Sequence, residues 1–132
     1  NALMQGPEEH YDVGDKVARA IYAPVRTTYR VTVEQMAYLE PGLSETVCAS
    51  LLVVMKQAMD EVVKAGVSEE CARDFLLGHM NILGAVIFGI QPGQFSDACN
   101  KAIEFGVPAL MRDDWKGIFE RDEIMASIRR IT

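Results

Sequence analysis

The sequence lacks the short motifs that mark the commonest nucleotide and nucleophile sites. Its 132 residues contain no G-x-G-x-x-G turn, no P-loop and no G-x-S-x-G elbow. The chain therefore cannot hold a dinucleotide through the usual Gly-rich turn. Its three cysteines include no C-x-x-C pair, so neither a zinc ribbon nor a redox dithiol is supported.

Long apolar runs and clustered cations are also missing. The longest apolar run, Ile82 to Ile90, is too short to span a bilayer. The net charge of −6 and the pI of about 4.9 argue against nucleic acid and anionic membrane as main partners. A small anionic substrate is still compatible, because a few arginines suffice to bind one. The unpaired cysteines indicate a reducing compartment, and we expect a cytoplasmic protein.

What the sequence does contain is helical periodicity and helix-capping signals. The patterns predict helices near residues 7–22, 32–40, 43–65, 68–89, 96–105 and 122–131. Thr32, Ser68 and Ser96 are the predicted N-caps, and Gly66 and Gly106 the predicted ends. Val25–Val31 alternates weakly and predicts a strand. We therefore predict a mainly α fold, a bundle of about five to seven helices with a long central pair and a short strand element near the N-terminus.

The segment from Phe75 to Phe88 is apolar almost all round, which is typical of a helix in the middle of a bundle or at a subunit interface. His79 and Asn81 interrupt it. One interpretation is that both bond to backbone inside the core. The alternative is that His79 is a general acid or base and Asn81 a ligand-binding residue. A metal site is not expected, since His79 has no carboxylate at i+3 or i+4.

Polar residues cluster where Pro41 interrupts the second helix. Glu40, Ser44 and Glu45 lie in "YLEPGLSETV", and helix starts at such breaks often border clefts. Ordinary capping and a solvated face are the alternative. The C-terminal third is locally basic, with Arg112, Lys116, Arg121, Arg129 and Arg130, and acidic residues including Asp113, Asp114, Asp122 and Glu123 lie among them. A surface ion-pair network is the first interpretation there, and an anion clamp the second.

Several segments together resemble one group of enzymes. They are "ALMQGPEEHYDVGDKVARAIYAPV", "VTVEQMAYLEPGLSETV", "LLGHMNILGAVIFG", "FSDACNKAIEFG" and "MRDDWKGIF". They are similar to the C-terminal part of phosphogluconate-dehydrogenase-like, or β-hydroxyacid-dehydrogenase-like, NAD(P)-dependent oxidoreductases. The "GHMNI" and "DDWK" elements are the more specific parts, and the resemblance covers nearly the whole chain.

The resemblance implies a domain plan. Residues 1–31 would be the end of, or the junction to, a Rossmann-type domain, and residues 32–132 an all-α substrate and dimerisation domain. NAD or NADP would be bound mainly by a domain absent from this chain, so the chain alone should be inactive. A homodimer and a small hydroxy or oxo acid substrate are also implied. We expect the chain to be a piece of a larger protein.

One departure from the family pattern affects the expected site. The superfamily usually has a Lys-x-x-x-Asn pair on the junction helix, but no lysine occurs here between Lys16 and Lys56. Glu40, Ser44 and Glu45 occupy that region instead. Either the chemistry is moved to His79, or the reaction differs from simple oxidation of a hydroxy acid. We predict that His79 is catalytic and that Asn81, Glu40, Ser44 and Glu45 contact the substrate. The rival hypotheses are a non-catalytic helical dimerisation module and, less favoured, a stand-alone binder of an apolar ligand.

Overall fold

The computed structural model describes residues 1–131, and most of them are helical. Six α-helices occur within this range: α1 (His10–Ile21), α2 (Val33–Ala37), α3 (Ser50–Lys64), α4 (Glu69–Ile87), α5 (Asp97–Leu110) and α6 (Arg121–Ile131). A π-helix (Tyr38–Ala49) joins α2 to α3, and a 3₁₀-helix (Trp115–Phe119) precedes α6. The prediction of a mainly α fold is confirmed. In the same range no helix is both long and apolar enough to cross a membrane.

The described residues form two compact units. The first comprises residues 1–48 and 117–131, and within it α2 packs on α6. The second comprises residues 49–116, and within it α3 packs on α4. The latter contact is the predicted pairing of two long helices. The predicted division at residue 31 into a junction and an all-α domain stays a prediction.

The N-terminal strand element is the part of the fold prediction that is wrong. Residues 1–131 contain one isolated parallel bridge, Ala2 with Val31, and no longer ladder. The Tyr11 hydroxyl lies between the two segments: it accepts from the Leu3 N–H at 3.3 Å and donates to the Val31 carbonyl at 2.8 Å. Backbone groups that a ladder would use are thus bonded to a side chain. A single short pair of strands is also marginal by itself.

A polar cluster attaches α1 to the segment that follows it. The Thr28 hydroxyl donates to the Asp15 carboxylate, and Arg19 Nε lies 3.0 Å from the same carboxylate. These two hydrogen bonds, that from Thr28 being the larger cause, lower the pKa of Asp15. Helix α1 itself begins at His10 rather than at Pro7, because residues 7–12 form tight i to i+3 turns first.

The predicted break at Pro41 is a change of helix type instead. Thr32 forms the expected capping box with Gln35, and the chain then continues from α2 into the π-helix. Pro41 and Gly42 are the buried residues of the π-helix. A Cβ added at Gly42 would lie 2.9 Å from Ile124 Cδ1 and 3.4 Å from Phe119 Cε1. The absence of a side chain at Gly42 therefore allows the π-helix to approach α6 closely.

We expect Gly42→Ala to lower the free energy of unfolding of the intact protein by about 1–3 kcal/mol, because the new methyl group meets the well-packed Ile124 side chain. Gly106→Ala is the matched control, since a Cβ at Gly106 has no neighbour within 4 Å. Helix propensity should make that substitution neutral or stabilising by up to about 1 kcal/mol. Chemical denaturation measures both, and equal effects of the two would contradict the packing argument.

In the second unit the local signals locate most helix ends. Gly66 has a φ of 104° and follows α3, as predicted. The Ser68 and Ser96 hydroxyls accept from the N–H groups of Cys71 and Cys99 at 3.3 and 3.2 Å. All three features confirm the expected boundaries, because each signal acts within a few residues of the chain.

The predicted end of α5 at Gly106 is wrong. The helix continues through Gly106 and Pro108 to Leu110. The proline removes one backbone donor, but its fixed φ is compatible with helical geometry. The ladder resumes at once with the bond from Met111 N–H to the Val107 carbonyl at 2.8 Å. Helix α5 is therefore about one turn longer than its sequence suggests.

Candidate functional site

An apolar cleft runs between α3 and α4 in the second unit. Its volume is about 480 Å³, and apart from one imidazole its lining is hydrophobic or sulfur-containing. The lining residues are Met55, Ala58, Met59, Val62, Val67, Cys71, Ala72, Phe75, Leu76 and His79. Helical spacing of small and apolar residues on the facing sides of α3 and α4 produces this composition. His79 thus supplies the one imidazole of this cleft.

The His79 ring is held by the residue one turn before it. It stacks on the Phe75 ring, with 4.2 Å between ring centroids and 30° between planes. Its Nδ1 lies 2.8 Å from the Phe75 carbonyl oxygen. Because a carbonyl oxygen can only accept, this contact requires the proton on Nδ1. In the neutral ring Nε2 then carries a free lone pair, which makes it the atom able to accept a proton.

His79 is exposed, so it is not a core histidine. Its hydrogen bond to the Phe75 main-chain carbonyl nevertheless agrees with the interpretation in which His79 bonds to backbone. Asn81 is also exposed and is not among the residues that line the His79 cleft. Two residues apart on a helix, the side chains of His79 and Asn81 diverge by about 200°. Their predicted roles in catalysis and substrate contact stay predictions.

The three polar residues predicted near Pro41 all lie on the π-helix of the first unit. Glu40, Ser44 and Glu45 are exposed. A π-helix bonds residue i to residue i+5, so Glu40 and Glu45 are neighbours along its axis and Ser44 is adjacent to Glu45. The helix type thus brings together on one face three residues that α-helical spacing would spread more widely. Glu40, Ser44 and Glu45 belong to one unit, whereas His79 and Asn81 belong to the other.

Two of the C-terminal arginines make ion pairs. Arg112 forms a two-pronged contact with Asp114 through Nε at 3.0 Å and Nη2 at 2.8 Å. Arg121 Nε lies 2.9 Å from Glu34. These pairs agree with the ion-pair interpretation of the basic region. Both are solvent-exposed, so each contributes about 1 kcal/mol or less.

Two residues of the site were not singled out from the sequence. Phe75 orients His79, and the signal for it was available, since an aromatic residue four positions before a histidine lies on the same helix face. Thr46 donates a hydrogen bond from its hydroxyl to the Pro41 carbonyl. That bond depends on π-helical geometry, which could not be predicted from the sequence. In the described range, no group of three or more His, Cys, Asp or Glu side chains could hold a metal ion.

A comparison with protein families assigns the whole chain to one family. The model of the family described as "Phosphogluconate dehydrogenase (decarboxylating) C-term" matches residues 1–132. The chain therefore belongs to the phosphogluconate dehydrogenase C-terminal family, as the resemblance predicted.

Particular relatives make the comparison more specific. The chain is 73% identical over 132 residues to a D-apionate oxidoisomerase of Rhizobium rhizogenes and 70% identical to one of Cupriavidus necator. All of this chain is covered in both cases, but only 48% of each relative. The chain thus spans about half the length of these curated relatives.

A solved structure is similar along almost the entire chain. It is a semialdehyde dehydrogenase NAD-binding protein from Cupriavidus necator, crystallised in complex with calcium and NAD. The TM-score is 0.92 and the sequence identity 71%, covering 99% of this chain and 48% of that one. The all-α architecture described above is thus that of a known structure.

Proposed function

We propose that this chain is the α-helical C-terminal half of an NAD(P)-dependent oxidoreductase that acts on D-apionate or a closely related hydroxy acid. The observation that carries the proposal is the match of the whole chain, at 73% and 70% identity, to two D-apionate oxidoisomerases. The similar structure from Cupriavidus necator with NAD bound supports NAD in preference to NADP.

The cofactor would be held outside this chain. The sequence offers no Gly-rich strand–turn–helix for the phosphates of a dinucleotide, and we assign no residue here to it. When bound, NAD supplies the redox step of the reaction. This half of the protein would contribute substrate positioning, exclusion of water and proton transfer. By itself we expect it to be inactive.

His79 is the residue we propose for proton transfer. Oxidation of a hydroxyl group requires a base for the O–H proton, and an isomerisation also moves protons, so one imidazole could serve both steps. The Phe75 carbonyl fixes the proton on Nδ1 and leaves Nε2 to receive another. Because the lining around the exposed ring is apolar, a substrate bound there would displace water from beside the transferred proton.

Glu40, Ser44 and Glu45 are proposed as substrate contacts. An ionised carboxylate is an acceptor only, so Glu40 and Glu45 suit the hydroxyl groups of a hydroxy acid and would repel its carboxylate. Ser44 can both donate and accept. Asn81 has an amide with the same versatility, and we propose it as a further contact on a face of α4 other than the His79 cleft.

A second copy of the chain is the partner we propose for α4. Helix α4 and its C-terminal flank expose large apolar side chains, among them Phe75 at 67%, Ile82 at 59% and Phe88 at 79%. Neither Gly78 nor Gly84 on this helix has a neighbour within 4 Å of an added Cβ, so there is room for close approach. A series of exposed apolar residues along one helix marks an interaction surface, and a homodimer would cover it. The same feature favours the rival function, a non-catalytic dimerisation module.

The proposal is tested by assaying the intact protein with NAD and D-apionate. We expect NADH formation and an isomerised oxidation product, identified by mass spectrometry and NMR. A linear hydroxy acid with the same number of carbon atoms is the matched control substrate, and it should react much more slowly. Equal turnover of both acids would contradict the substrate assignment. No turnover of either acid with NAD or NADP would favour the non-catalytic alternative.

A further inference from the structure

The π-helix (Tyr38–Ala49) is buried on one side and exposes polar side chains as well as the apolar Leu39 and Leu43. Pro41 and Gly42 are buried, and Gly42 packs against Ile124 and Phe119. Glu40 and Glu45 are exposed. Because π-helical bonds join i to i+5, Glu40 is the axial neighbour of Glu45, and Pro41 is the axial neighbour of Thr46. In an α-helix two residues five apart would instead diverge by about 140°.

A twelve-residue π-helix is an unusual structure, since most π-helices are single turns. This one also contains Pro41, which has no backbone N–H to donate. The Thr46 hydroxyl adds a bond in the same region: it donates to the Pro41 carbonyl, five residues earlier, in a partly buried contact. This side-chain bond has the i to i+5 spacing of the helix itself and therefore favours π over α geometry there.

We propose that Thr46 is a positioning residue, whose bond to the Pro41 carbonyl keeps Glu40 and Glu45 on one face to receive hydroxyl groups of the substrate. The inference rests on the proposed function, because it takes the π-helix as part of the substrate site. Without the hydroxyl the segment loses one of the two contacts that favour π spacing, the other being the packing of Gly42 on Ile124, and α-helical spacing becomes more favourable. Glu45 would then rotate away from Glu40, and one of the two carboxylates would no longer face the substrate.

The test compares Thr46→Val with Thr46→Ser in the intact protein. Valine has nearly the shape of threonine but no hydroxyl, whereas serine keeps the hydroxyl. We expect Thr46→Val to raise KM for D-apionate by about tenfold, the effect of losing one or two hydrogen bonds. KM for NAD and the melting temperature should stay near those of the parent, and Thr46→Ser should restore KM. Thr27→Val, the same change at another exposed threonine, is the control.

Two kinetic outcomes would overturn the inference: an unchanged KM in Thr46→Val, or equal losses in both Thr46 variants together with a lower melting temperature. A crystal structure of Thr46→Val separates this inference from the proposed function. If the parent protein does not oxidise D-apionate, the proposed function fails, and the positioning role is judged from that structure alone. Glu40 and Glu45 moved apart would support it, and an unchanged π-helix would refute it.

Discussion

Replacing His79 by glutamine should lower kcat for D-apionate by about 10²- to 10⁴-fold, the contribution of a positioned general acid or base. Glutamine can still donate an amide hydrogen to the Phe75 carbonyl, so the local contact that holds the side chain has a substitute. It cannot take a proton at the position of Nε2. The loss should therefore appear in turnover, measured by steady-state kinetics, rather than in folding or association.

His10→Gln is the control for His79→Gln, since His10 is the other histidine of the chain and is exposed on α1. Its activity should match that of the parent protein. Circular dichroism and sedimentation of the His79 variant should be unchanged. Turnover of His79→Gln close to that of the parent would show that the imidazole is structural, and the base would then have to be sought elsewhere in the protein.

A charge placed on the exposed apolar side of α4 should dissociate the proposed homodimer into monomers. Ile82 is 59% exposed in the single chain, where a glutamate would be tolerated within about 0.5 kcal/mol. Inside a dimer contact the same carboxylate would be buried without a partner, at a cost of several kcal/mol. We therefore expect Ile82→Glu to weaken dimerisation by about a thousandfold or more, measured by analytical ultracentrifugation.

Lys64→Glu provides the matched control for Ile82→Glu. Lys64 lies at the end of α3, its side chain is 70% exposed, and its ion pair with Glu61 is a surface pair of small value. The change alters net charge in the same direction but not the apolar side of α4. A dimer that survives both substitutions would remove α4 from the interface, and loss of the dimer in both would point to a general charge effect.

The features that the sequence predicts correctly are those determined within one helical turn. Thr32, Ser68, Ser96 and Gly66 all act on backbone groups within about five residues, so their roles follow from residue type and position. The mainly α fold follows from a period of 3.6 that is repeated along most of the chain. The contact of His79 with Phe75 is equally local, since both residues lie on one face of a single helix, but it was not predicted.

The features that were missed depend on competition between local preferences and contacts distant in sequence. Pro41 and Gly42 look like a helix break, yet packing of Gly42 on Ile124 and the Thr46 bond favour a continuous π-helix. The expected strand is limited to a single bridge, beside which the Tyr11 hydroxyl bonds the Leu3 N–H and the Val31 carbonyl. Neither outcome could be predicted from periodicity, since it depends on partners between five and about eighty residues away.

The candidate site was predicted as residue types rather than as an arrangement. The sequence identified His79, Asn81 and three polar residues near Pro41. In the structure His79 and Asn81 belong to the second unit, and the three polar residues belong to the first. Family membership is supported independently by the whole-chain match. The shared face of Glu40 and Glu45 could not be foreseen, because it exists only in a helix with i to i+5 bonds.

The contact of His79 with Phe75 also fixes the orientation of the imidazole ring. A half-turn of the imidazole about its Cβ–Cγ bond would exchange Nδ1 for a carbon atom and break its bond to the Phe75 carbonyl. One of the two ring orientations is therefore preferred in the chain alone, which suits the role as base that we propose for His79. A base that is already oriented needs little reorganisation at the moment of proton transfer, which is the condition under which enzymes gain most from fixed polar groups.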